Sequence, residues 1–321
     1  MTATDVQQDG AAAPRLGPDG SSASGSRLRA RRRRRDRLLF AAFVAPNFFF
    51  LLVFAYWPVV YNGYLSLTDW DMISPVRHLV GLDNYRSLLT DPEFLGTLWT
   101  TVLFVVGVVA GGLVLGLGTA LLLNQRLRGQ SAVRTLTFAP YVLSGAAIGT
   151  LWLFVFDPNY GLLRPLLAPL GLTAPAMMTD SRWALTGLIL VYLWKNTGFV
   201  AVVYLAGLQS LPREVYEAAA LDGAGPWTRL RSVTLPLLSP VTFFLLVTCT
   251  ISTFQAFDVI AMMTGGGPGT STSILSWFIY DQGFRTFDAG RAAASALVMF
   301  VVLLLITGLQ ARFLERKVHY Q

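Results

Sequence analysis

The 321-residue chain is 54% hydrophobic and only 13% charged, against roughly 25% charged for an ordinary soluble domain, and this excludes a water-soluble globule. Its formal charge of +7 invites a nucleic-acid reading, but nine arginines precede the first apolar run, Arg31 to Arg35 among them, and the rest are scattered through short connections. Basic residues placed just before a membrane helix anchor it to the anionic inner leaflet, so nucleic acid is not an expected partner.

Residues 1–36 are rich in Ala, Gly, Ser, Asp and Arg and nearly free of large apolar side chains. They are expected to form a disordered basic cytoplasmic tail, because they cannot bury enough surface to fold. Six apolar stretches follow, at about 38–60, 98–123, 135–156, 184–208, 237–262 and 292–314. Each reaches the ~20 residues that cross a ~30 Å hydrocarbon core. Lipid offers the backbone no hydrogen bonds, so these stretches must be helices or strands of a closed barrel. Runs such as 298–306 do not alternate as barrel strands would. The predicted fold is therefore an all-α membrane protein, with six transmembrane helices forming one domain over residues 37–321.

The first stretch is longer than the roughly 7–15 residues of a secretory signal core, and no small-x-small site follows, so it reads as an uncleaved span. With the N-terminus inside, the inner segments hold eighteen Lys and Arg residues, including Arg126, Arg128, Arg316 and Lys317, and the outer ones hold six. That bias places both termini in the cytoplasm. The second stretch carries Gly107, Gly111, Gly112, Gly116 and Gly118. The first two have the small-xxx-small spacing that lets helices approach closely. Such a seam serves either packing inside one bundle or an interface with a second membrane subunit.

Two charges fall inside predicted spans, Lys195 in the fourth and Asp258 in the fifth. A charge at that depth costs about 2.5–3.5 kcal/mol or more unless it is paired or faces water. Either the two form an intramembrane pair or Lys195 faces a polar path. Cys249 is the only cysteine and the two histidines are far apart, so neither a disulfide nor a metal site is expected. No catalytic cluster is present. The run Gly265-Gly-Gly-Pro268 lacks the Gly-Lys-Ser/Thr of a phosphate loop, because the only lysines are Lys195 and Lys317.

The longest inner connection, about 211–236, follows the fourth span. Pro212 and Glu214 suit the start of a helix, Gly223 and Gly225 end it, and Pro226 can open a second, so a compact cytoplasmic knob is predicted. This segment resembles the cytoplasmic motif of ABC-importer permeases: Glu217, Ala218 and Ala219, then Asp222 and Gly223, then Val233 in place of the commoner isoleucine, and Leu235 with Pro236. The wording Tyr216 to Ala224 resembles the carbohydrate-uptake branch of maltose and glycerol-phosphate type. Trp194–Phe199, Phe254–Asp258, Thr264–Pro268 and Ile279, Tyr280 and Phe284 extend the likeness, the last resembling the first of two paired permeases.

The resemblance implies an inner-membrane, multi-pass permease subunit. It would form half of a translocation pathway for a sugar or oligosaccharide, in a heterodimer with a second permease. Two ATPase subunits would bind the ATP and Mg, an extracellular or periplasmic solute-binding protein would deliver the sugar, and this chain would hold no cofactor. The knob would be the coupling helix, laid into a groove on the ATPase. Lys195, Asn196, Phe199, Thr253 and Gln255 would line the path. The competing expectation is a secondary active transporter of a small polar solute, which calls for inverted repeats and more intramembrane ionisable groups and leaves 217–236 unexplained.

Overall fold

A computed structural model of the chain describes residues 21–125, 129–171 and 173–314. Residues 1–20 of the expected tail, and Arg126, Arg128, Arg316 and Lys317 of the charge count, lie outside them. Two compact units divide the chain, residues 1–60 and 61–321.

The first unit is helix α1 (Ser21–Leu51) and a π-helical turn (Leu52–Tyr56), running into α2 (Trp57–Leu65). Residues 21–36 of the expected tail are thus helical, because a nucleated span propagates at little cost into arginine and alanine, both good helix formers. Pro58 has no N–H for the carbonyl four residues back, and the widened turn just before it absorbs the mismatch. Phe40, Phe43 and Phe54 are exposed, as a helix facing hydrocarbon requires.

The second unit contains α3 (Asp83–Thr90), α4 (Pro92–Leu123), α5 (Gln130–Val142), α6 (Gly145–Val155), α7 (Leu163–Leu167) and α8 (Ser181–Ser210). After α8 come α9 (Arg213–Leu221), α10 (Pro226–Arg229) and α11 (Leu235–Leu237). The chain ends in α12 (Ser239–Phe254), α13 (Asp258–Met263), α14 (Leu275–Tyr280) and α15 (Ala289–Leu314). Among the described residues no strand forms. Five segments are long and apolar enough to cross a membrane: 37–65, 92–123, 181–210, 239–263 and 289–312.

The third predicted stretch is not one rod. It breaks into α5 and α6, which are bent by 100° to each other. Pro140 cannot donate within α5, and Leu143 and Ser144 then turn extended, with ψ of 146° and 133°. A proline followed by a Ser-Gly pair is a common cause of a sharp kink. The fifth stretch also pauses, between Phe254 and Asp258.

The glycines of α4 pack inside the chain. A methyl group on Gly107 would meet Ile189, on Gly111 Leu193, and on Gly116 Val200, all on α8. Contacts that advance together along both helices make α4 and α8 parallel. The chain between them must therefore return to the side where α4 began, and the bent pair carries it back. Phe104, Leu188, Val191 and Tyr192 fill the core on one side of this seam, and Ala120, Tyr204, Leu238 and Leu245 fill another part.

Aspartates set the starts of three helices. Asp91 accepts from Glu93 N–H at 2.9 Å, Asp180 from Arg182 N–H at 3.0 Å, and Asp288 from Arg291 N–H at 2.8 Å, each satisfying an orphan donor. The Arg182 side chain bonds Asp180 as well and holds its carboxyl below the usual range. Asp91 also pairs with Arg291, tying α4 to α15. Asn84 donates to the carbonyls of Ser66 and Thr68 at 2.9 and 2.8 Å, and Ala289 N–H to that of Trp70 at 2.9 Å. The 66–91 segment is thereby pinned to the start of α15.

Gly116→Ala overpacks the seam and is expected to destabilise the protein by about 1–3 kcal/mol. Gly118→Ala faces open space and is expected to be neutral. Melting of the two variants in the same detergent separates them, and equal melting would contradict a closed seam.

Candidate functional site

The 211–236 segment is a built knob. Pro212 lies in the extended region and α9 starts at the next residue. At its far end the Gly223 N–H donates to Ala220 O at 3.1 Å and Ala224 N–H to Ala219 O at 2.9 Å. This is the Schellman closure, which needs a left-handed residue, and Gly223 supplies it with φ of 76°. The Arg229 guanidinium donates to Ala224 O at 2.9 Å, tying α10 to the loop after α9, and the Tyr216 and Thr234 hydroxyls meet at 3.1 Å, tying α9 to the returning half of the knob. Leu235 and Pro236 follow a π-helical turn (Leu230–Thr234) and lead into α12. Again a proline stands just beyond the widened turn.

Glu217, Ala218, Asp222 and Gly223 are exposed and Ala219 is half-buried. Leu221 is 89% and Trp227 72% exposed. Both are large apolar side chains left exposed on the knob, and neither was singled out from the sequence. A tryptophan in a connection between apolar stretches was the available signal.

The second group of predicted residues meets in one cavity of about 370 Å³, which collects Lys195, Asn196, Phe199, Thr253, Gln255 and Asp258. The helical period explains half of this: Tyr192, Lys195, Asn196 and Phe199 fall at i, i+3, i+4 and i+7 and so share one face of α8. Ser252 and Thr253 come from α12, Gln255 from the break beyond it, and Asp258 is the first residue of α13.

Tyr141, also missed, arrives through the kink after Pro140. Its ring stacks on Phe199 with centroids 4.8 Å apart and planes 15° from parallel. Gly198 makes this possible, since a Cβ there would collide with the Thr137 carbonyl of α5. The Lys195 ammonium stands 5.7 Å from the Tyr141 ring centroid.

The Lys195–Asp258 pair does not form. Among the described residues the ion pairs are Arg182–Asp180, Arg285–Asp281 and Arg291–Asp91. Asp258 instead accepts from Val259 N–H at 2.9 Å and from the Tyr192 hydroxyl at 3.4 Å. Both charges line the cavity, and Asp258 is exposed to it, which is how a charge at membrane depth is tolerated. Among the described residues no group of three His, Cys, Asp or Glu is placed to hold a metal.

A bundle of long apolar helices carrying a polar cavity and a structured knob defines a polytopic transport component. Residues 112–320 match the model of the binding-protein-dependent transport system inner membrane component, and the chain belongs to that family. It is 36% identical over 277 residues to a probable ABC transporter permease protein of Pyrococcus horikoshii, covering 86% of this chain and 95% of that one. It is 37% identical to the sn-glycerol-3-phosphate transport system permease protein UgpA of Yersinia pestis, over 87% of this chain and 94% of the relative. The sulfoquinovosyl glycerol transport system permease protein SmoG of Agrobacterium fabrum is 36% identical over 88% of this chain and 92% of its own. Among solved structures, a bacterial ABC transporter involved in import of the acidic polysaccharide alginate superposes with a TM-score of 0.75 at 25% identity, covering 88% of this chain and 96% of that one. The protein is thus the permease subunit of a binding-protein-dependent ABC importer, an inner-membrane component and not a member of an enzyme family.

Gly145 opens α6 directly against Asp258, and a Cβ there would collide with the carboxylate. Gly145→Ala is expected to cost about 1–3 kcal/mol by overpacking. Combined with Asp258→Gly it is expected to cost less than the two singles added, as for residues in contact. Additive melting shifts would show that the two do not touch.

Proposed function

We propose that this chain forms half of the translocation path for a sugar or polyol derivative and couples it to ATP hydrolysis by partner subunits. One observation carries the reading: the knob and the cavity are built on the same two helices. α8 bears Lys195, Asn196 and Phe199 on one cavity wall and α12 bears Thr253 on another, and their cytoplasmic ends enter and leave the knob. Hydroxyl-rich cargo suits this lining, because amide and hydroxyl groups hydrogen-bond sugar hydroxyls and the Tyr141–Phe199 stack offers an apolar face. Transport of glycerol phosphate, sulfoquinovosyl glycerol and alginate by similar proteins supports this cargo class.

In this proposal the chain crosses the membrane six times with both termini in the cytoplasm, the α5–α6 pair acting as one broken span within a permease domain over 37–321. The parallel packing of α4 and α8 supports that count. Glu217, Ala218, Ala219, Asp222, Gly223, Leu235 and Pro236, with Leu221 and Trp227, dock into a groove of an ATPase subunit. The chain itself binds neither ATP nor Mg. A second permease completes the path, two ATPases drive it, and a solute-binding protein delivers the cargo. The solved alginate importer in complex with a pentasaccharide-bound periplasmic protein supports an arrangement of this kind.

Tagged protein drawn from membranes is expected to bring down an ATPase and a second permease, and recovery of neither overturns the proposal. Glu217→Lys combined with Gly223→Pro is expected to abolish cargo-stimulated ATPase activity while membrane insertion stays intact, since proline cannot adopt the positive φ at residue 223. Phe199→Ala is expected to cut uptake at least tenfold with the knob's docking unchanged. Undiminished uptake would remove the cavity from the path.

A further inference from the structure

The cavity presents two charges in different states. Asp258 is compensated: it takes the Val259 N–H and the Tyr192 hydroxyl. It also lies against the first residue of α6, an 11-residue helix whose positive end thereby faces the carboxylate. Lys195 is not compensated. It is half-buried, no carboxylate among the described residues lies within ion-pair distance, and its contact with Tyr141 at 5.7 Å sits at the outer limit of a cation–π interaction. The cavity makes an ammonium at this depth tolerable and leaves it open to an anion that enters that space.

We propose that the cargo supplies that anion. The permeant is then an anionic sugar or polyol derivative, bearing a phosphate, sulfonate or carboxylate that Lys195 holds while Asn196, Thr253 and Gln255 receive its hydroxyls. The inference rests on the cavity being part of the translocation path. Charge complementarity in such a cavity works through exclusion as well as attraction: a neutral sugar leaves the ammonium unpaired in a low-dielectric site. Lys195 is therefore a specificity residue, and its removal should erase discrimination more than it erases passage.

The test uses the complex of this chain with its partner subunits, purified from membranes without the binding protein. Tryptophan fluorescence, with Trp194 adjacent to Lys195, follows titration by sn-glycerol 3-phosphate and glucuronate and by their neutral counterparts glycerol and glucose. In the unmodified complex each anion is expected to bind at least tenfold more tightly than its neutral counterpart. Lys195→Met is expected to reduce the anions to the neutral level, and Lys195→Arg to retain the preference. Equal binding of charged and neutral compounds in the unmodified complex, or binding of none of them, overturns the proposal without recourse to any variant. So does an anion preference that survives Lys195→Met, or loss of the second permease from that variant's complex, which would make a subunit carboxylate the counter-ion. Failure of the path reading looks different: Phe199→Ala then leaves uptake intact, whereas an inactive Phe199→Ala beside a charge-blind unmodified complex rejects the anion alone.

Discussion

The distance between α4 and α8 governs the rest of the second unit. Gly107, Gly111 and Gly116 remove side chains where Ile189, Leu193 and Val200 press in, so two long helices lie close and parallel. Parallel neighbours joined in sequence demand a return crossing, and the chain makes it with the kinked α5–α6 pair. The kink in turn carries Tyr141 to Phe199 and sets the start of α6 against Asp258. Small residues are the means by which helices in lipid gain contact, because no hydrophobic force drives one apolar helix onto another there.

Span lengths and the membrane class were legible in the sequence because transfer free energy sums over a window. Continuity was not, since hydropathy is blind to it. The stretch at 135–156 is apolar throughout, yet it breaks, and its only local marks are Pro140 and the Ser144-Gly145 pair. The glycines of α4 showed that something must approach closely but not what. That answer depends on residues some eighty positions away. The knob was the most legible part, because its chemistry is local: a proline start, a glycine with φ of 76°, and a second proline at Pro226. The cavity was half legible. Its α8 wall follows helical spacing, while Tyr141 and Ser252 belong to segments whose meeting no single-chain periodicity reveals.

The glycine run after α13 found its explanation in backbone geometry. Gly265 and Gly266 take φ of 53° and 82° beneath the Trp277 ring, where a side chain on Gly266 would have no room. Around that turn, hydroxyls satisfy buried backbone and one another. Thr272 donates to Gly267 O at 2.7 Å, its hydroxyl oxygen lies 2.8 Å from that of Thr264, and Thr101 Oγ1 accepts from Leu275 N–H at 3.0 Å. Irregular backbone at membrane depth survives only when it is satisfied in this way.

The Tyr216–Thr234 tie and the closure at Gly223 make the knob stiff, and stiffness decides what a load on it can do. A floppy connection would absorb a push at Leu221 or Trp227 by bending. A braced one hands it to its two roots, α8 and α12. Phe199 lies eleven residues up α8 from Ser210, about 16 Å along the axis, at the level where the glycine seam holds α8 against α4. In the proposed coupling, a push on the knob would therefore reach the two helices that form the cavity walls. Force would then travel through packed helices, with no part of the chain needing to unfold.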